Sequence, residues 1–85
     1  MKTNAKQSFI DSKREMTYQE YYNEYGQEVE GNGETLIVYK NGIYIIKLQT
    51  QEYYTIIERS EYISDSLSEI ENILWEGFAK TELNN

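Results

Sequence analysis

The middle of the chain is apolar at consecutive positions, which is typical of strands that are buried on both faces of a sheet. Residues 36–39 and 43–46 form two such runs, with the pair Asn41-Gly42 between them. Asn-Gly is the preferred pair for a two-residue type I′ turn, so we predict a tight hairpin with Tyr39 opposite Tyr44. Both faces of this hairpin are apolar, and each therefore requires a cover.

A third strand is predicted at residues 53–58, which are rich in β-branched and aromatic side chains. Tyr53 and Tyr54 are neighbours, so their side chains point to opposite faces of the strand and at least one of them lies outward. An outward tyrosine among carboxylates has the composition of a protein-binding surface.

A helix is predicted before the sheet. Residues 17–20 match a capping box, and Gly26 is the usual kind of residue for the position that follows a helix. The tyrosines between these signals recur at helical spacing, and we interpret them as a core face with hydroxyl groups at its rim. Residues 8–14 are either earlier turns of this helix or part of a mobile basic arm over residues 1–14. The segment 27–34 has the composition of a turn.

A second capping box at residues 66–69 begins a C-terminal helix. Trp75 lies off the centre of its apolar stripe and is predicted to be at a boundary or exposed. The pattern predicts an α+β fold with an N-terminal helix, a three-stranded antiparallel sheet and a C-terminal helix, in one domain over residues 1–85. The stripe that we expect to face the core consists of Leu67, Ile70, Ile73, Leu74, Gly77 and Phe78.

The side-chain chemistry argues against catalysis. The chain has no histidine and no cysteine, so the commonest general base, metal ligand and thiol nucleophile are absent. Glu69 and Glu71 are two residues apart on the predicted helix, so they point to different faces and form neither an acid–base pair nor a metal site. We therefore expect no enzyme activity, no cofactor and no metal, and we expect Glu71→Gln to be nearly silent for folding.

The net charge of −7 is unevenly distributed. The balance is +3 over residues 1–14, −6 over 15–34, +2 over 35–51 and −6 over 52–85. Direct binding to nucleic acid is disfavoured, because affinity for nucleic acid depends on cations that neutralise phosphates. The acidity either keeps a small protein soluble or forms a surface that stands in for phosphates, and both interpretations remain open.

Candidate partner-binding residues come from the two acidic blocks and from the outward tyrosine. Glutamates in the first block repeat at four-residue intervals, so they share one face of the predicted helix as far as that helix persists. The candidates are Glu20, Glu24, Glu28, Glu30, Tyr54, Asp65 and Glu69.

The chain also resembles a known group of proteins. It is small, acidic and free of cysteine, it contains Leu36-Ile37-Val38-Tyr39-Lys40-Asn41-Gly42 in its sheet, and its last helix ends in Lys80-Thr81-Glu82-Leu83-Asn84. In size, charge and element order it resembles phage-encoded anti-CRISPR proteins, in particular those that inhibit type II effector nucleases. Its basic opening segment departs from a uniformly acidic surface. The resemblance implies an inhibitor that competes with target DNA for arginine and lysine side chains.

Two functions are consistent with these observations. The first is a protein-binding inhibitor of a nucleic-acid-binding host defence protein, which it engages with an acidic surface that imitates DNA phosphates. The second is a structural or regulatory module, a homodimer or an accessory subunit, that binds through an apolar sheet face. In both cases the partner is a protein, without direct contact to nucleic acid or membrane. Residues 1–10 contain no apolar stretch for a signal peptide, so the expected location is the cytoplasm, of the host cell if the protein is phage-encoded.

Overall fold

The strands of the chain form one antiparallel sheet, with helical segments before, between and after them. The structure, a computed structural model, describes residues 4–29 and 35–83, so residues 30–34 of the predicted turn segment 27–34 lie outside the described residues. The strands are β1 (Arg14–Met16), β2 (Thr35–Val38), β3 (Tyr44–Lys47), β4 (Tyr53–Ile57) and β5 (Ser60–Ser64). The helices are α1 (Ala5–Asp11), α2 (Tyr18–Tyr25), α3 (Leu67–Leu74) and α4 (Lys80–Leu83), with a π-helical turn (Trp75–Ala79) that joins α3 to α4.

The α+β class is confirmed, but the prediction of a three-stranded sheet is wrong. The sheet has five strands, and their spatial order is the order of the sequence. The first additional strand is β1, in which Met16 pairs with Leu36 and Arg14 pairs with Val38 of β2. This strand also separates α1 from α2, so residues 8–14 are not earlier turns of the helix that follows.

The second additional strand, β5, follows β4 through a two-residue turn. Glu58 and Arg59 have φ angles of 49° and 75°, and Ile57 pairs directly with Ser60. Two consecutive positive φ angles in a two-residue hairpin loop are the mark of a type I′ turn. Neither glutamate nor arginine favours that conformation, so the sequence contains no signal for the turn.

The hairpin of β2 and β3 exists, but its predicted register is wrong by one residue. Val38, not Tyr39, pairs with Tyr44, and Ile37 pairs with Ile45. The loop has three residues, because the Tyr39 N–H donates to the Ile43 carbonyl at 2.7 Å across a short 3₁₀ turn. A shift of one residue moves every side chain of β3 to the opposite face.

The inner face of the sheet is covered by α1 and by the C-terminal helical segment. Phe9 of α1 is fully buried, and its ring stacks on that of Tyr39 with 4.6 Å between centroids. The ring of Trp75 lies 5.5 Å from Phe9. Ile37 and Ile45 complete the centre of this core. Within the described part of the basic opening segment, α1 is thus held against the sheet through Phe9.

The outer face of β1, β2 and β3 is covered by α2. The predicted capping box is confirmed, with hydrogen bonds in both directions between Thr17 and Glu20, and the helix ends at Gly26 with φ 70°. Tyr21 is 2% exposed and its hydroxyl group donates to the Gly42 carbonyl at 2.7 Å. The core interpretation of the tyrosine stripe holds for Tyr21, whereas Tyr22 is 47% exposed.

The C-terminal helix begins where predicted, at Ser66, but its buried face differs from the predicted stripe. The Lys80 N–H donates to the Trp75 carbonyl, an i to i−5 bond that widens the turn. Ile70, Glu71, Leu74 and Trp75 are buried, so the buried face is centred beside the predicted stripe. Trp75 is 5% exposed and Phe78 is 39% exposed, so the predictions for both residues are wrong, while Leu74 is buried as expected.

Glu71 is a buried carboxylate that joins three parts of the fold. It is 4% exposed, it accepts a hydrogen bond from the Tyr39 hydroxyl at 2.7 Å, and it lies 2.7 Å from the Lys13 ammonium. Burial, and then the hydrogen bond to Glu71, raise the pKa of Tyr39, so the phenol stays protonated and remains a donor. The expectation that Glu71→Gln is silent does not fit these contacts.

We predict that Gly42→Ala destabilises the protein more than Gly26→Ala. Both glycines have positive φ angles of 77° and 70°, so each alanine incurs the same left-handed cost of about 1 to 2 kcal/mol. A Cβ on Gly42 would also lie 3.2 Å from the Tyr25 ring and 3.3 Å from the Tyr21 hydroxyl oxygen, whereas Gly26 has open space. Urea unfolding of both variants measures the difference, and equal losses would show that the Gly42 site is not tightly packed.

We predict that Glu71→Gln lowers the free energy of unfolding by about 1 to 3 kcal/mol, because a charged acceptor is lost from a buried hydrogen bond and ion pair. The matched control is Glu69→Gln on the same helix, where the side chain is exposed and the expected change is within about 0.5 kcal/mol. Urea unfolding at neutral pH is the measurement. Identical midpoints for the two variants would contradict the structural role of Glu71.

Candidate docking surface

The outer face of the sheet is covered over β1, β2 and β3 but open over β4 and β5. Ile46 pairs with Tyr54, and Tyr54 pairs with Ile63, so these side chains share the outer face together with Ile56. Ile56 is 56% exposed and Ile63 is 55% exposed. Two large β-branched side chains open to solvent on a face that is packed elsewhere form an unpartnered apolar patch.

The ladder between β3 and β4 stops early. At the turn that joins the two strands, the Leu48 N–H donates to the Glu52 carbonyl at 2.8 Å. Away from that turn, Lys47 pairs with Tyr53 and Ile46 pairs with Tyr54, and the ladder ends there. Hydrogen-bonded pairs in an antiparallel ladder recur at every second residue. The next such pair would join Tyr44 to Ile56, and the ladder does not contain it.

The same alternation fixes the direction of the backbone groups at this missing pair. On β3, the N–H and C=O of Ile45 are used in the pairing with β2, because Tyr39 bonds to Ile43 and the bonded pairs alternate from there. The peptide groups of Tyr44 therefore face β4. On β4, those of Thr55 face β5 and those of Ile56 face β3. Both sets point into the space between the strands.

A groove of about 1040 Å³ occupies this space. Ile43 and Tyr44 line one side, Ile56 and Ile57 line the other, and Phe78 of the π-helical turn also lines it. Phe78 adds an aromatic side chain to the apolar lining of the groove. We call this space, with the open outer face beside it, the docking groove.

The charge of the docking groove is negative. Among its lining residues in the described part of the chain, Glu28 and Glu58 are the charged ones. Next to them, the Tyr54 hydroxyl group donates to the carboxylate of Glu61, and this hydrogen bond raises the pKa of Tyr54. Tyr54 is therefore a neutral hydrogen-bond donor, and the negative charge beside it belongs to Glu61 on β5.

The structure places two of the candidate binding residues in local contacts on α2. Glu20 accepts the Thr17 N–H at 2.8 Å as part of the capping box. Glu24 pairs with Arg14 at 2.7 Å, and the hydrogen bond from this guanidinium lowers the pKa of the carboxyl group. Both side chains are exposed, but each already has a donor within the chain.

The remaining candidates separate into two places. Glu28 and Tyr54 both line the docking groove. Asp65 and Glu69 lie at the start of α3, exposed and outside the groove lining. Glu30 lies outside the described residues. The candidate set therefore does not form a single surface.

Sequence analysis missed the apolar half of the surface. The pattern places Ile56 in a strand and Phe78 on a core stripe, where an apolar residue is normally covered, and it assigns Ile63 to no element. The alternation between Tyr54 and Ile56 did place them on the same face, and this was the available signal. Nothing in the sequence marks the end of the β3–β4 ladder.

No cluster of three or more carboxylates within residues 4–29 and 35–83 is arranged to hold a metal ion. In that same part of the chain, no helix has the length and apolar character to cross a membrane. The chain matches no known family model, and neither a characterised protein nor a solved structure is significantly similar to it.

Proposed function

We propose that this protein acts by binding another protein through the docking groove, and that it is not an enzyme. The observation that carries this proposal is the coincidence of two exposed isoleucines, Ile56 and Ile63, with an interrupted strand ladder on the same half of the sheet. Exposed apolar groups rimmed by polar side chains are the usual composition of a protein-binding site. A partner that covers this half would complete the outer layer that α2 leaves open.

The charge around the groove selects a basic partner. Glu28 and Glu58 in the groove and Glu61 beside it present carboxylates without a cation among the lining residues of the described chain. A basic groove that normally receives nucleic acid is complementary to such a surface, because carboxylates take the place of phosphates. The protein then acts as an anti-CRISPR-like inhibitor of a nucleic-acid-binding host defence protein, in the host cytoplasm.

A second candidate is a structural module that uses the apolar part of the same surface. Ile56 and Ile63 on the outer face are both more than half exposed, which favours a partner with a complementary apolar face. In this case the partner is a second copy of the chain or a larger assembly. Its binding depends weakly on salt, whereas binding to a basic groove weakens strongly as salt is added.

The test is affinity capture from a bacterial lysate with three forms of the protein. One is the natural chain, one carries Glu28→Lys with Glu58→Lys in the groove, and the matched control carries Asp65→Lys with Glu69→Lys on α3. We expect the groove pair to lose the partner, the α3 pair to retain it, and heparin to displace it from the natural chain, because heparin competes for basic side chains.

Circular dichroism of all three forms establishes that each is folded before capture is compared. Capture that survives in the groove pair, at low and moderate salt and in the presence of heparin, would refute the inhibitor proposal. A partner lost only from the α3 pair would move the binding surface to Asp65 and Glu69.

A further inference from the structure

The docking groove has an unusual feature for a protein-binding surface, because it offers backbone groups as well as side chains. The peptide groups of Tyr44 and Ile56 face each other where the β3–β4 ladder is interrupted. At other positions along the two strands, the corresponding peptide groups form ladder bonds, for example between Ile46 and Tyr54. Peptide groups that are left out of a ladder, as at the edge of a sheet, are the groups to which an extended segment adds as a further strand.

We propose that the docking groove binds an extended segment of its partner, which carries one large apolar side chain flanked by lysine or arginine. This inference rests on the proposed function and specifies what the partner inserts. The segment hydrogen-bonds to the peptide groups of Tyr44 and Ile56, which the β3–β4 ladder does not pair. Its side chains alternate between the groove and solvent, as those of any extended chain do.

The residues that line the groove determine the apolar part of the segment. Ile43 and Ile57 are half-buried or buried at the sides of the groove, while Ile56 and Phe78 are exposed at its surface. A volume of about 1040 Å³ is at the upper end of the range for sites that enclose a ligand of a few hundred daltons. A leucine-sized side chain with its flanking backbone therefore has room to enter.

The carboxylates that line the groove determine the basic part of the segment. Glu28 and Glu58 line the groove, from the segment after α2 and from the β4–β5 turn, and no lysine or arginine lines it among the described residues. Cations on either side of the inserted residue thus find carboxylates. The same charge disfavours a second copy as the occupant, because each chain has a net charge of −7 and self-pairing would bring like charges together.

The experiment uses a short fluorescein-labelled peptide as the probe, with a central leucine, threonines beside it and lysines at both ends. Fluorescence anisotropy with the full chain measures binding. Three altered probes test the three parts of the proposal: glutamate in place of the lysines, alanine in place of the leucine, and a backbone N-methyl group at the leucine. The N-methyl probe keeps every side chain and removes one backbone donor.

We expect the parent probe to bind, and each altered probe to bind at least about fivefold more weakly, which is the loss expected when a hydrogen bond, a charge contact or an apolar anchor is removed. The protein variants give a matched pair. Ile56→Ser lies in the groove and should abolish binding, whereas Tyr22→Ser, similarly exposed on α2 but outside the groove lining, should not.

Several results would overturn the proposal. One is equal binding of the parent and N-methyl probes, which would mean that the backbone groups are not used. A second is equal weakening by Ile56→Ser and Tyr22→Ser. A third is self-association of the natural chain in analytical ultracentrifugation that Ile56→Ser abolishes, because a second copy would then occupy the groove. Circular dichroism of both variants excludes unfolding as the cause.

Failure of this inference is distinguishable from failure of the proposed function. If the parent and N-methyl probes bind equally but the Glu28→Lys and Glu58→Lys pair still loses the captured partner, the groove binds a protein without an extended segment. If the capture experiment fails in all its arms, the proposed function itself is wrong.

Discussion

The rest of the structure depends on the need to cover a central hairpin that is apolar on both faces. Leu36 and Val38 lie on one side of β2 and Ile37 lies on the other, and all three are buried. A chain of 85 residues has little helix with which to make two layers. It uses α1 and the C-terminal helix on the inner face and the short α2 on the outer face, and α2 does not reach β4 and β5. The open surface is a consequence of this shortage.

Two side chains of the C-terminal helical segment complete the inner layer. Trp75 packs against Phe9, whereas Phe78, three residues later, lines the groove. Glu71 remains buried because Tyr39 and Lys13 satisfy its carboxylate. Core packing and the candidate binding surface are therefore linked through one helical segment, which contributes Trp75 to the core and Phe78 to the groove.

Local signals in the sequence were sufficient where the chemistry is local. The capping box at Thr17 and the glycine end of α2 at Gly26 are contacts within a few residues, and both were predictable. The features that were not predicted depend on contacts between distant residues or on residues that give no local signal. The β5 hairpin turns on Glu58 and Arg59, which adopt left-handed conformations against their preference. The register of the β2–β3 hairpin depends on one extra residue in its loop. The candidate site combines Glu28 and Tyr54, which were predicted as binding residues, with two apolar residues that were not. These are Ile56 and Phe78, whose exposure depends on how far α2 and the β3–β4 ladder extend.

The sheet is interrupted between Tyr44 and Ile56. Amide hydrogen exchange, measured by NMR on the free protein, reports on this interruption residue by residue. The amides of Ile45 and Thr55 belong to the ladders with β2 and β5 and should exchange slowly. The amides of Tyr44 and Ile56 should exchange much faster than these neighbours, although they lie in the same strands. Equal protection at all four positions would show that the ladder is complete, and the groove would then not be a site that accepts a further strand.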